Sequence, residues 1–184
     1  MDRQGALALL SEHVTNQNLV RHNLAVGFIM RALAKKFGEN EEDWELAGML
    51  HDLDWEKTKD DFKNHTKLAK EILEKTDLKP EIIKAIYVHN WAHELEPETL
   101  LEKTLYCVEE LSGLITAAAL VQPGRKLASV TQESVLKKFR QKSFAAGINR
   151  EIILLSKEYI NLELPQLVEI SLNAMKEHAQ EIGL

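Results

Sequence analysis

Apolar side chains along this chain return every three or four residues, and no convincing run alternates apolar and polar positions between turn-forming residues. Such a pattern buries one stripe per helix rather than one face of a sheet, so strands are not needed. The few glycines and prolines fall where helices should begin or end. Asn18 or Asn16 can cap a helix whose stripe is Leu19, Val26, Ile29 and Leu33, stopping at Gly38. Asn40 can open the next, with acids in its first turn and Trp44, Ala47, Leu50 and His51 on one side. Asn64 or Asp61 opens a third, with Leu68 and Ile72 at helical spacing from His65. Pro80 and Pro97 suit the first turns of two more, the second a long apolar helix reaching about Val121. "VQPGRK" reads as a loop, Thr131 begins a basic amphipathic helix, and Asn149 and Pro165 start the last two, the final one ending near Gly183. The expectation is one all-α domain over residues 1–184, a single-domain bundle of about eight or nine helices, with a core over 18–121 and C-terminal helices over 122–184.

Composition narrows the class. With 45% hydrophobic and 28% charged residues the chain reads as an ordinary globular protein. The single cysteine, Cys107, excludes an internal disulfide framework. No stretch approaches the roughly 20 apolar residues of a membrane helix. The apolar run in "MDRQGALALLSEHV" is too short for a secretion signal, so a cytoplasmic location without membrane contact is expected. The net charge of −6 argues against a general polyanion binder and makes nucleic acid an unexpected partner. Locally the balance reverses: between Gly124 and Ser143 stand Arg125, Lys126, Lys137, Lys138, Arg140 and Lys142 against Glu133 alone. Arg125, Lys138 and Lys142 are the candidates from this segment for holding a substrate phosphate, against the alternative of a solvated helix face.

The histidines carry the functional argument. His22 lies on the apolar stripe of its helix, His51 follows Leu50 near a helix end, His65 shares a side with Leu68 and Ile72, and His89 closes the helix of Ile82, Ile83 and Ile86. One inward histidine is ordinarily a core-edge residue bonded to backbone. Four, from four helices, are harder to bury, because each unpartnered imidazole costs about 1–3 kcal/mol. Convergence on a metal satisfies them together, and helical proteins build metal sites this way. The doublet His51-Asp52 fits the same scheme, since near a helix end the backbone can unwind and let both side chains turn to one point. His51 can then hold one ion while the anionic Asp52 bridges two, at the ~3.5–4 Å separation that clamps a phosphoryl group. His93, four residues after His89, begins the helix-ending run "HELEPE" and is expected at the rim, whereas His13 and His178 are expected to be exposed.

This ordered set resembles the HD-domain superfamily of metal-dependent phosphohydrolases. His22 in "VRHNLAVG" matches its isolated histidine, "LHD" at 50–52 its His-Asp doublet, and His65 in "NHTKLAKEIL" and His89 in "AIYVHN" the two extra histidines of binuclear members. The resemblance spans residues 20 to 121, and is looser to about residue 155, where it is to small stand-alone bacterial members. It implies a helical HD-like fold, one or two divalent ions, and His22, His51, Asp52, His65, His89 and Glu109 as their ligands. Glu109 in "LYCVEELSGLI" stands where the family places its final aspartate, with a side chain one methylene longer and Glu110 adjacent. Asp54 in "HDLD" replaces a glycine common in the family; it is either an acceptor supporting the ligands, a partner of a metal-bound water, or an exposed acid.

The chemistry expected is hydrolysis of a small phosphomonoester, phosphodiester or nucleotide by metal-activated water, with His51, Asp52 and Asp54 as its catalytic groups. The chain has no P-loop, no dinucleotide-binding glycine fingerprint and no nucleophile elbow. Residue types do not discriminate among manganese, iron, cobalt, nickel and zinc. Two alternatives accompany this reading: a metal- or nucleotide-binding regulatory HD module with little or no catalysis, and a structural helical protein whose histidines are core residues.

Overall fold

The computed structural model describes residues 1–184, with eleven α-helical segments, four 3₁₀ turns and no strand. The helices are α1 (Arg3–His13), α2 (Gln17–Phe37), α3 (Glu41–Leu50), α4 (Trp55–Thr58), α5 (Lys67–Leu73), α6 (Pro80–Val88), α7 (Leu100–Leu120), α8 (Gln132–Arg140), α9 (Arg150–Leu154), α10 (Ser156–Ile160) and α11 (Leu164–Glu177). No helix is long and apolar enough to cross a membrane.

Most starts follow local capping. Asn16, Asn40, Thr131 and Asn149 each accept a backbone N–H from the first turn of the helix that follows. Gly38 ends α2 in the left-handed conformation (φ 75°) that a side chain would oppose. Three boundaries differ from expectation. Neither Asp61 nor Asn64 caps α5: Asp61 precedes and Asn64 ends a 3₁₀ turn, Phe62–Asn64, and the two bond to each other, so His65 precedes the helix. Within α5 it is Ala69 and Leu73 that are buried, while Leu68 and Ile72 are half-covered. Pro97 lies outside α7, which Thr99 caps through the Glu102 N–H. The last helix stops at Glu177, short of Gly183.

One cluster of 44 buried apolar residues runs from Ala6 to Ile182, so the C-terminal helices share the core of the N-terminal ones. Helices α2 and α3 form its tightest contact: Gly27 and Gly48 face each other, and a Cβ on Gly48 would fall 2.6 Å from the Gly27 nitrogen. One turn earlier in α3, buried Glu45 accepts from Arg3 (2.7 Å) and Arg31 (2.6 Å), tying α1 to the α2–α3 pair. His178 is half-buried rather than exposed, because its ring stacks on Phe28 at 3.8 Å between centroids; His13 is likewise half-covered.

Candidate metal centre

Helix ends deliver most of the site. His22 projects from the second turn of α2, His51 and Asp52 follow the last residue of α3, His65 closes the 3₁₀ turn before α5, and His89 follows the last residue of α6. The α-helix gives way to turns after Leu50, His51 itself keeping helical backbone angles (φ −60°, ψ −38°), and the neighbours His51 and Asp52 reach one place, Nε2 to Oδ1 3.7 Å. The Asp52 N–H is steadied by the Asn23 side chain at 3.3 Å.

Every imidazole is anchored by its Nδ1. His51 donates to the Gly48 carbonyl (2.8 Å), His89 to the Ile86 carbonyl (2.6 Å) and His65 to the Asp54 carboxylate (2.8 Å). His22 donates to Ser112 Oγ (3.1 Å), whose own hydroxyl donates to the Glu109 carbonyl (2.9 Å). With these protons placed, the Nε2 of His22, His51 and His89 presents a lone pair, and that of His65 does so once its second proton leaves. The Nε2 atoms confront one another, His22 to His51 at 3.2 Å and His65 to His89 at 3.4 Å. Two such atoms repel unless a cation or a proton lies between them.

Asp52 joins the pairs. Donor atoms of His22, His51 and Asp52 all lie within 4.8 Å of one another, and so do those of Asp52, His65 and His89. Asp52 Oδ2 is 3.8 Å from His22, and Oδ1 is 3.2 Å from His65 and 3.9 Å from His89. Nitrogen atoms that share an ion at ~2.0–2.1 Å must lie within about 4.2 Å of each other, and both histidine pairs do. Imidazoles with one shared carboxylate are a donor set for divalent transition metals, so the residues fit one or two such ions.

The electrostatics agree. Burial lowers His22, His51 and His89, His51 to about 4, so all three are neutral and able to ligate at pH 7. Burial alone would lower His65 as well, but its hydrogen bonds to Asp52 and Asp54 outweigh that and hold it at about 9. Without a cation, His65 therefore carries the proton that compensates the cluster. A metal must displace that proton, so uptake strengthens as pH rises toward 9. Burial would raise Asp52, yet His51, His65 and His22 keep its carboxyl well below the usual carboxylate range.

Several expectations take a definite position. Asp54 is not an exposed acid: it is buried, and its two oxygens accept from His65 Nδ1 and the Ala69 N–H (2.9 Å), so it aims His65 instead of facing the reacting centre. Asp54→Asn keeps the volume but can serve only one of these donors with its amide oxygen. Metal affinity is expected to fall roughly 10- to 100-fold with helix content unchanged, as read by competition against a chelating dye. Glu109 borders the site, 3.8 Å from His22 Nε2, but lies outside both tight groups. Burial, with Glu110 and Asp52 nearby, pushes its carboxyl well above the usual range. Glu110 lines the same cavity as Glu109. His93 is a brace: Nε2 meets the His65 carbonyl (3.0 Å) and Thr66 Oγ1 (2.9 Å), and its ring stacks on Tyr87. Thr66 itself is strained, at φ 71° next to His65.

Of the candidate phosphate contacts, Arg125 follows the Gly124 turn (φ 79°) into a cavity it shares with His22, Asn18 and Arg21. Lys138 and Lys142 do not meet the expectation. Val135 and Phe139 anchor α8 in the core, which leaves the Lys138 ammonium over the Phe144 ring at 4.1 Å and Lys142 in solvent. Neither lines the cavities that open onto His22 and Asp52. The sequence reading missed Ser112 and Asn23. Their only signal was a polar residue in an otherwise buried helical stripe. It also missed the aromatic wall beside His65, formed by Trp55 and Phe62 at 4.9 and 5.9 Å between ring centroids.

Comparison with known proteins agrees with this geometry. The family model "HD domain" matches residues 19–119. Ribonuclease Y of a Sulfurovum species is 27% identical over 182 residues, covering 88% of this chain and 35% of that protein. Ribonuclease Y of Campylobacter concisus is 28% identical over 179 residues, covering 90% and 31%. Ribonuclease Y of Geobacter metallireducens is 32% identical over 99 residues, covering 53% and 18%. The chain thus spans about a third or less of the length of these relatives. No solved structure matches it. The family match takes in more than half of the chain and every histidine of the cluster, and the chain belongs to the HD domain family of metal-dependent phosphohydrolases.

Proposed function

We propose that this chain hydrolyses a phosphoester, with a phosphodiester as the preferred class. The observation that carries the reading is Asp52 shared between two histidine pairs whose Nε2 atoms face each other. The preference for a diester rests on the relatives' name, ribonuclease Y, together with cations placed around the site. The overall charge of −6 had argued against nucleic acid, but a cleft is governed by its local field. Arg21 and Arg125 line one cavity beside His22, and Lys59 lines another that reaches His22 and Asp52.

His22, His51, His65 and His89 with Asp52 would hold the ions, and Glu109 stands ready at the His22 side. Bound divalent cations supply charge neutralisation of phosphoryl oxygens and acidify water to near-neutral pKa. The chain's own part is positional. Ser112, Asp54 and the Gly48 and Ile86 carbonyls hold the imidazoles in the tautomer that ligates. Arg125 and Arg21 offer donors to non-bridging phosphate oxygens. A covalent enzyme intermediate is not required, and Cys107 is unsuited to one because burial pushes its thiol up to about 12.

The test is elemental analysis of gently purified protein beside assays on p-nitrophenyl phosphate, bis-p-nitrophenyl phosphate and a single-stranded RNA oligonucleotide. One or two transition-metal ions per chain are expected. Turnover of a diester should be lost on chelation and restored by metal. A protein that holds metal tightly and turns over none of the three would be a binding module instead, the outcome that Glu109's place outside the tight groups would then explain.

A further inference from the structure

The cavities on the two sides of Asp52 are chemically unlike. On the His22 side stand Arg21, Arg125 and Lys59, with Glu56 and Glu109 beside them. On the His65–His89 side a cavity of about 360 Å³ is lined by Trp55, Phe62 and Trp91 together with Asn90, Glu109 and Glu110, and by no lysine or arginine. With no lysine or arginine on this side, the chain offers a second phosphate no partner beyond the metal centre itself, and the three aromatic rings favour a flat group. Phe62 connects the wall to the metal centre: its ring is 5.9 Å from His65 and 5.0 Å from Trp91. Trp91 is 49% exposed, far more than an indole in a packed core, and its 3₁₀ turn is fixed by Asn90, whose side chain accepts the Ala92 N–H.

We infer that Trp91, backed by Phe62, is a stacking platform for a nucleobase whose phosphate lies at the Asp52 centre, so that the substrate is a nucleotide or the end of a single-stranded oligonucleotide. A base is flat, neutral and aromatic, and the cavity lies within the range of small-molecule sites. Asn90 contributes no donor to reading the identity of the base. Asn90, which lines the cavity with Asn149, already spends both its donors on the Phe62 and His65 carbonyls (2.9 and 3.0 Å), and its oxygen accepts from the Ala92 N–H. The inference rests on the phosphohydrolase reading for the place of the phosphate, but not on turnover.

The test measures binding by calorimetry to the metal-loaded protein, using 5′-phosphonomethyl analogues of adenosine, of uridine and of base-free ribose, none of which can be hydrolysed at that bond. Both nucleosides should bind more tightly than the ribose analogue. Trp91→Ala should weaken both nucleosides about 5- to 150-fold, as one lost stacking contact does, and leave the ribose analogue unchanged. Trp91→Phe should recover most of the loss, which also controls for folding of the turn. Equal affinity for nucleoside and base-free analogues in the unmodified protein overturns the inference, as does an equal loss for all three in Trp91→Ala. Diester turnover indifferent to Trp91 would sink the platform and spare the hydrolase. Trp91-dependent nucleoside binding with no turnover would do the reverse.

Discussion

Asp52→Asn is expected to lower phosphoester turnover roughly 10²- to 10³-fold, the cost of losing one preorganised electrostatic element. Its effect should be larger than that of any single histidine change, because Asp52 alone belongs to both ligand groups. The carboxamide is nearly isosteric, so packing around the buried side chain survives. What disappears is the negative charge between two imidazole pairs, and with it the ability of both oxygens to serve cations. Metal content should fall in parallel, toward one ion or none. Circular dichroism should be unchanged, and elemental analysis with steady-state assays on the preferred diester reads the rest. Turnover within tenfold of the unmodified protein would show that the shared carboxylate is not central.

Gly48→Ala addresses the scaffold and should be the most destabilising single-methyl addition. The new Cβ would lie 2.6 Å from the Gly27 nitrogen and 2.7 Å from both the Gly27 Cα and the Val26 carbonyl carbon. All three are backbone atoms, so no rotamer change relieves the clash and α2 must move away from α3. Overpacking of this kind costs about 1–3 kcal/mol or more, which for a chain of this size corresponds to a melting temperature lower by roughly 2–12 °C. The displacement also separates His22 on α2 from His51 after α3, so metal affinity should fall with stability. Gly147→Ala is the control: open space surrounds that position, and its melting temperature should match the unmodified protein.

Much of this protein was legible in its sequence because the relevant physics is local. A capping asparagine acts within three residues, and Asn16, Asn40 and Asn149 mark helix starts without help from the rest of the chain. Hydrophobic spacing likewise announced an all-helical core and four histidines on its inner side. Where local rules competed, the reading slipped. Asp61 and Asn64 are both good caps, but they satisfy each other, and the helix opens later at Thr66. Lys138 sits on the basic face that composition singled out, yet the orientation of α8 is decided by where Val135 and Phe139 find the core.

The chain by itself determined which side chains could ligate and on which helices they ride, since residue type and period are properties of a few consecutive positions. Only the tertiary structure decided what stands behind and beside them. Ser112 holds His22 from 90 residues away, Asp54 turns inward to aim His65, and Trp91 closes a cavity with Phe62. Those pairings are set by how helices pack, where the free energy is shared among many distant contacts, and no window of sequence contains it.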